Sequence, residues 1–386
     1  MLRLPARTRR LPIGIDIGSE SIKLLQLQQT APEVVSLCAA AIWRFPRGSG
    51  DDPSNRRRQA AEAVRRMLHE NGFRGRDVVS ALSCRQLGIR SVRLPQMPAK
   101  ELREAVKWEA RERFGFELGD DQISYLDAGE VRNGNDTYRE VVLLAVEKEA
   151  IEDHVALLSE MKLHPVHIDA APMAMFRVFD RFHRRQEDGQ SSRVAAEIGA
   201  CGTRVVVARG GQVVFLKSLD IGGSALTAAV AKQLNLGEDD AWQVRQRGIR
   251  HQLAQSAENS SQDQQDQVDR NVQDAVRGVL ESLGEEMALC LRYCSVTFRG
   301  LRPSEVLLCG GEAYDPFVSK ALGERLGVPC VVGRPLRGLD TGHVRLDPEG
   351  KGIFAEWAVC MGLATRCLAE SPPASEVDHG IHGLSA

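Results

Sequence analysis

Asp16, Gly18, Ser19 and Lys23 place a carboxylate, a tight glycine turn and an ammonium inside the segment LPIGIDIGSESIKLLQLQ, residues 11–28. Those residue types at that spacing suit the handling of phosphate. Ile13–Ile17 has the composition of a buried strand and Ile22–Leu27 of a return strand, so the backbone N–H groups of the turn between them can converge on one anion. Asp16, at the strand end, could hold a magnesium ion through water, since magnesium keeps most of its hydration shell. Lys23 would act as a point charge on phosphate oxygens. The alternative is an ordinary hairpin whose glycine only supplies positive φ.

The theme returns further along the chain. Val194–Ile198, the turn Gly199–Thr203 and Arg204–Ala208 repeat the strand, turn, strand order of residues 13–27. Gly210 and Gly211 make a two-residue hairpin into Val213–Leu219. The loop Ile221 to Ser224 then enters a helix over Ala225–Leu234, with Ser224 as its N-cap. A third signal is the strand Val306–Cys309 followed by Gly310, Gly311 and a helix from Pro316 to Leu326 closed by Gly327. Two glycines between strand and helix permit either a ligand ring against the backbone or close packing of the chain on itself.

The elements that position these turns follow from hydrophobic periodicity. Ala60, Ala63, Val64, Met67 and Leu68 mark a helix over Arg56–Glu70, with Gly72 as its stop. A strand follows at Asp77–Ser83, then an alternating run, Gly88–Leu94, ending in Pro95 and Pro98. Leu102, Val106, Ala110 and Phe114 recur at every fourth residue of an amphipathic helix over Lys100–Phe114, in which Trp108 is expected to pack into the core. With a strand at Tyr138–Val146 and a helix at Lys148–Met161, residues 76–166 form a compact α+β unit inserted into the chain. Residues 252–273 are rich in Gln, Asp, Ser and Asn, which predicts a mobile loop at about 252–268 before a helix over Val272–Phe298. Residues 371–386 have the composition of a disordered tail.

Composition bounds the rest. The chain has 386 residues, 43% hydrophobic and 26% charged, enough for a large core in two to three domains. A formal net charge of −2 gives no long-range attraction to nucleic acid or an anionic membrane. No apolar run reaches the length of a membrane span, and Asp16 and Glu20 interrupt the stretch after the basic N-terminus that a signal peptide would need. Nine cysteines without a C-x-x-C pair fit reduced core thiols of a cytosolic protein.

Taken together, IGIDIGSESIKLLQL at 13–27, VRLPQMPAKELREAVKWEARERFGF at 92–116, EIGACGTRVVVARGGQVVFLKSLDIGGSALT at 197–227 and LLCGGEAYDPF at 307–317 resemble the PilM family of type IV pilus assembly proteins, within the actin-like ATPase superfamily. The resemblance runs from about Leu11 to Leu368. It implies an α/β protein with the actin-like ATPase fold: two ribonuclease-H-like lobes in an FtsA-like architecture, with a small α+β subdomain inserted in the first. The first lobe would comprise 11–75, 167–192 and 334–370, the insert 76–166 and the second lobe 193–333.

ATP with magnesium would lie between the lobes. By position, Asp16, Gly18, Ser19 and Lys23 match the first phosphate loop, Glu197, Gly199 and Thr203 the second, Gly222 and Gly223 the connecting turn, Arg245 the helix beside the ribose, and Gly310, Gly311 and Ala313 the adenosine loop. Asp16 and Glu197 would hold the magnesium through water. Two positions depart from the pattern: Glu197 stands where an aspartate is usual, and the ribose helix carries Trp242 and Arg245 rather than a glutamate before a basic residue.

The resemblance further implies a cytoplasmic scaffold, peripheral to the inner membrane. It would bind a short N-terminal peptide of a PilN-like membrane protein near Leu94–Pro98 and the helix bearing Trp108, as part of the pilus inner-membrane complex, and self-association is a further expectation. An active ATPase or small-molecule kinase, with Glu197, Glu312 or Asp220 as base, is one alternative. A degenerate platform that binds no nucleotide is another.

Overall fold

The computed structural model describes residues 8–31, 34–47, 52–82, 86–180, 192–255, 263–300, 302–342, 344, 346 and 354–368. Among them the chain forms two compact units, Met1–Phe45 with Gly50–Arg184 and Arg334–Ala386, and Pro46–Ser49 with Arg185–Gly333.

The first unit contains β1 (Arg9–Arg10), β2 (Ile13–Ile17), β3 (Ser21–Ala31), β4 (Val34–Arg44), α1 (Pro53–Glu70) and β5 (Asp77–Leu82). It continues through β6 (Leu87–Pro95), α2 (Ala99–Arg113), β7 (Ile123–Asn133), β8 (Asp136–Val146), α3 (Lys148–Glu160), β9 (His164–Ala170) and α4 (Ala171–Asp180). β2 pairs antiparallel with β3, and β3 with β4, while β5 runs parallel to both β2 and β9. The sheet order is therefore β4-β3-β2-β5-β9, with β1 extending β2's edge along β3. β2 and the middle of β3 are near-continuous apolar runs because helices cover the sheet. Ile13, Ile15, Ile22 and Leu24 pack with Val64 and Leu68 of α1 and Leu158 of α3. α1 begins three residues earlier than the apolar period alone shows, because Asp52 caps it by accepting from the Ser54 N–H (3.0 Å) and Pro53 is preset for the first turn.

The insert is narrower than 76–166. Its own sheet is β6-β8-β7, all antiparallel, and α2 lays Leu102, Val106, Ala110 and the following Phe114 against Val92, Leu94, Val141 and Leu143. β5 and β9 belong instead to the sheet of β2, and α3 packs on that sheet's core. The inserted subdomain thus spans β6 to β8.

The second unit repeats the plan with β10 (Ser192–Ile198), β11 (Thr203–Arg209), β12 (Gln212–Leu219), α5 (Gly223–Leu234), α6 (Glu238–Gln255), α7 (Asp263–Thr297), β13 (Val306–Cys309), α8 (Pro316–Leu326) and β14 (Cys330–Val332). Its order, β12-β11-β10-β13-β14, has the same antiparallel and parallel senses as β4-β3-β2-β5-β9. The two sheets are copies of one ribonuclease-H-like motif, and the actin-like α/β fold expected from the sequence is the fold observed. The loop expected at about 252–268 is shorter among the described residues, since α6 runs to Gln255 and α7 starts at Asp263. Gln is a good helix former, so a Gln-rich stretch need not be loop. Residues 256–262 lie outside the described residues, as does the tail expected at 371–386. A last helix, α9 (Ala358–Ala364), returns to the first unit and packs on β2 and α4.

Candidate functional site

Asp16 stands directly opposite Lys23 in the β2–β3 ladder, and Glu197 stands directly opposite Arg204 in the β10–β11 ladder. Residues opposite one another in an antiparallel pair share a face, so register alone brings each acid to a base. Lys23 Nζ lies 3.3 Å from Asp16 Oδ2, and the Arg204 guanidinium donates to Glu197 Oε2. The turns match as well: the Gly18 N–H donates to Ser21 O and the Gly199 N–H to Gly202 O, both at 2.9 Å. Each unit therefore presents a glycine turn between an antiparallel strand pair, β2–β3 in the first and β10–β11 in the second, stapled by an acid–base pair. All four side chains are less than one-fifth exposed, where charges interact more strongly than in water.

Around the second turn the chain closes on itself. Gly222 packs so tightly that a Cβ there would lie 2.5 Å from both Gly199 O and Gly202 N. The Gly223 and Ser224 N–H groups donate to Gly199 O (2.9 Å) and Ala200 O (2.8 Å), so the first donors of α5 serve the turn. The N-cap is Gly222, and Ser224, expected in that role, lies inside the first turn of the helix. Thr203 is fully buried and donates its hydroxyl to Ile221 O at 2.7 Å.

Arg245 of α6, 2% exposed, directs its guanidinium to Gly223 O (3.2 Å), Thr227 Oγ1 (2.9 Å) and Glu312 Oε2 (2.5 Å). Its place is beneath the glycines, as the clamp that ties the turn after β13 to α5. Gly310 adopts φ +88° and abuts Ile198 O, Gly311 faces open space, and Ala313 is buried. Asp315 next to them caps α8 through the Phe317 N–H (2.9 Å), and burial pushes its carboxyl up to about 6 against the pull of Arg245.

The first unit thus gathers Asp16, Gly18, Ser19 and Lys23, and the second gathers Glu197, Gly199, Thr203, Gly222, Gly223, Arg245, Gly310, Gly311 and Ala313. Sequence reasoning missed two cations. Arg204 had a signal, because Asp16 to Lys23 and Glu197 to Arg204 are the same distance apart within the internal repeat. Arg56 had none: it reaches from α1 to donate to Ser19 O while its guanidinium lies 3.5 Å from the Phe45 ring centroid. Trp242 is covered by the Arg47 guanidinium at 4.3 Å, so one face of its ring is already stacked.

Asp16 and Glu197, the carboxylates on which magnesium is expected, each face a cation fixed by their own ladder. No group of three or more His, Cys, Asp or Glu side chains among the described residues is placed to hold a metal. Of the candidate bases, Glu197 and Glu312 are both in ion pairs and Asp220 is exposed.

Comparison with known proteins adds to this geometry. A family model described as type IV pilus assembly protein PilM matches residues 14–368. The chain is similar to the structure titled "PilM-PilN type IV pilus biogenesis complex", with 25% identity and a TM-score of 0.72 over 93% of this chain and 99% of that one. It shares its fold with the ethanolamine utilization protein EutJ from Carboxydothermus hydrogenoformans, at 15% identity and a TM-score of 0.54 over 94% of this chain and 91% of that one.

Proposed function

The chain belongs to the type IV pilus assembly protein PilM family, and from that premise we propose that it is a cytoplasmic, ATP-binding scaffold that docks on the pilus inner-membrane complex through the N-terminal peptide of a PilN-like membrane protein. The observation that carries this reading is the likeness, over nearly the full length of both chains, to a protein solved in complex with PilN. No helix among the described residues is long and apolar enough to cross a membrane, so in this reading the bilayer is reached through the partner.

An extended peptide gains affinity from backbone hydrogen bonds and specificity from pockets for alternate side chains. The inserted subdomain offers features suited to such a contact: the proline-bounded segment Leu94–Pro98 and, on α2, a tryptophan 61% exposed at Trp108. Within the first unit the turn at Gly18–Ser19, with Lys23 as counter-charge, is suited to phosphate; within the second, the turn at Gly199, with Arg204, is suited to phosphate and the open face of Gly311 to adenosine. Thr203, Gly222, Gly223, Gly310, Ala313 and Arg245 would shape that site from behind rather than touch the ligand.

Titration of the full chain with a peptide copying the partner's cytoplasmic N-terminus, followed by calorimetry and by Trp108 emission, tests the docking half. Binding at micromolar concentration is expected, and none at several hundred micromolar would sink it. ATP calorimetry tests the other half. Steady phosphate release that disappears in Asp16→Ala would instead favour an active ATPase.

A further inference from the structure

We infer that Arg56 is the positioning residue of the first phosphate turn: it holds the Ser19 carbonyl so that the Glu20 N–H is turned to the opposite side, where it can donate to a phosphate oxygen. The inference rests on the nucleotide half of the proposed function and adds a residue to the turn of the first unit.

The two units hold the same turn carbonyl by different means. Gly18 to Ser21 and Gly199 to Gly202 are equivalent turns, each closed by the N–H of its glycine on the carbonyl three residues further on, at 2.9 Å. In the second unit the carbonyl next after the glycine, Ala200 O, takes the Ser224 N–H from the first turn of α5 at 2.8 Å. In the first unit the equivalent carbonyl, Ser19 O, takes the Arg56 guanidinium from α1. α1 and α5 occupy the same place in the duplicated motif, each following its third strand, β4 or β12. A backbone donor serves in one copy and a side chain in the other.

Holding that carbonyl sets the direction of an N–H. A trans peptide carries its C=O and N–H on opposite sides, and no cis peptide occurs among the described residues. With Ser19 O fixed toward α1, the Glu20 N–H points away from α1. A cationic donor on the carbonyl also polarises the amide, which makes its N–H a stronger donor to an anion.

Arg56 is itself seated for this task. Its guanidinium lies 3.5 Å from the ring centroid of Phe45, whose N–H donates to Glu20 O at 3.0 Å and whose ring meets Trp43 edge-on at 4.6 Å. The ring that carries the cation is thus tied to the residue whose N–H is aimed. Helix formation does not favour a cation there: α1 has no acid in its first turn and runs on into Arg56, Arg57 and Arg58, near the end where the macrodipole opposes positive charge.

Hydrogen exchange of the full chain without nucleotide tests the turn. Exchange of the amides at 18–22 should rise at least about fivefold in Arg56→Ala while α1 keeps its protection. Unchanged exchange in the turn, or a loss of protection along α1 as well, would overturn the inference.

Calorimetry with ATP tests the ligand. Arg56→Ala should bind it at least about tenfold more weakly with an unchanged melting curve, the worth of one charge-assisted hydrogen bond. Arg56→Lys, which keeps a charged donor and loses the flat stack on Phe45, should lose only about threefold. Affinity of Arg56→Ala within about threefold of native would overturn the inference and leave the nucleotide site standing. So would Arg56→Lys as weak as Arg56→Ala, since the carbonyl contact would then not be what matters. No ATP binding by the native chain would overturn both.

Discussion

Truncating Arg245 to alanine would strand the Glu312 carboxylate, which is only 12% exposed, without its counter-charge and would remove the guanidinium donor to Thr227 Oγ1, while Gly223 O keeps the Thr227 hydroxyl as donor. Removing one partner of such a pair costs about 3 kcal/mol or more, so Arg245→Ala should lower the stability of the second unit by that order, read as a shift in denaturant midpoint. The glycines divide by the same reasoning. At Gly310 a side chain meets both a left-handed φ of +88° and the Ile198 carbonyl, so Gly310→Ala should cost about 2 kcal/mol or more. Gly311 meets nothing within 4 Å, and Gly311→Ala should change stability by less than about 0.5 kcal/mol. If Gly311→Ala nevertheless weakens ATP binding, the open face of that glycine is where the ligand lies; unchanged affinity would remove the residue from the site. The glycine pair was visible in the sequence, but its division of labour was not, because only the fold shows that Ile198 crosses behind one of the two.

Helices show how local pattern and long-range pairing differ in what they reveal. α2 was readable residue by residue: Leu102, Val106 and Ala110 sit on one face, and Trp108, two residues from either neighbour of that stripe, points away from it and is exposed rather than packed. The limits of the insert were not readable, since β5 and β9 have the same apolar composition as β6 and β8, and only non-local pairing assigns them to the sheet of β2. The duplicated motif could be read because each copy opens with a strand, a glycine turn and a return strand within one short segment. Two helical glycines carry the element-scale prediction. Gly362 of α9 packs against the Ala174 carbonyl of α4 so closely that an added methyl must push the helices apart, whereas Gly278 in the middle of α7 is exposed with no neighbour within 4 Å. Gly278→Ala should therefore stabilise by up to about 1 kcal/mol through helix propensity and a less free unfolded chain. Gly362→Ala should destabilise the first unit by about 2 kcal/mol or more through overpacking. Equal effects of the two changes in thermal melts would mean that α4 and α9 are not in this contact.

At the scale of the whole molecule, two units with one topology bury titratable groups of opposite sign. In the first, His154 of α3 is buried against the Ser80 hydroxyl of β5 at 2.9 Å, and burial lowers its pKa to about 4 from 6.5. The unfolded chain takes up this proton as pH falls below 6.5 while the folded unit refuses it until about 4, so the first unit loses stability across that window, by an amount on the order of 3 kcal/mol at its lower end. In the second, the Asp315 carboxyl is raised to about 6 from 3.8 by burial, the main cause, with Glu312 adding to the rise and Arg245 opposing it. Here the folded unit holds a proton that the unfolded chain has released, so acidification from pH 6 to about 4 stabilises the second unit by a similar order, about 3 kcal/mol. Between pH 7 and 4.5 the two units should therefore diverge. Hydrogen exchange followed separately in β2, β5 and α3 and in β13 and α8 should show protection falling in the first set relative to the second. His154→Gln should flatten the slope of the first unit alone, and Asp315→Asn that of the second alone. Parallel loss of protection in both units, unaltered by either substitution, would show that other carboxylates govern the acid response and that neither buried group is held as its surroundings require.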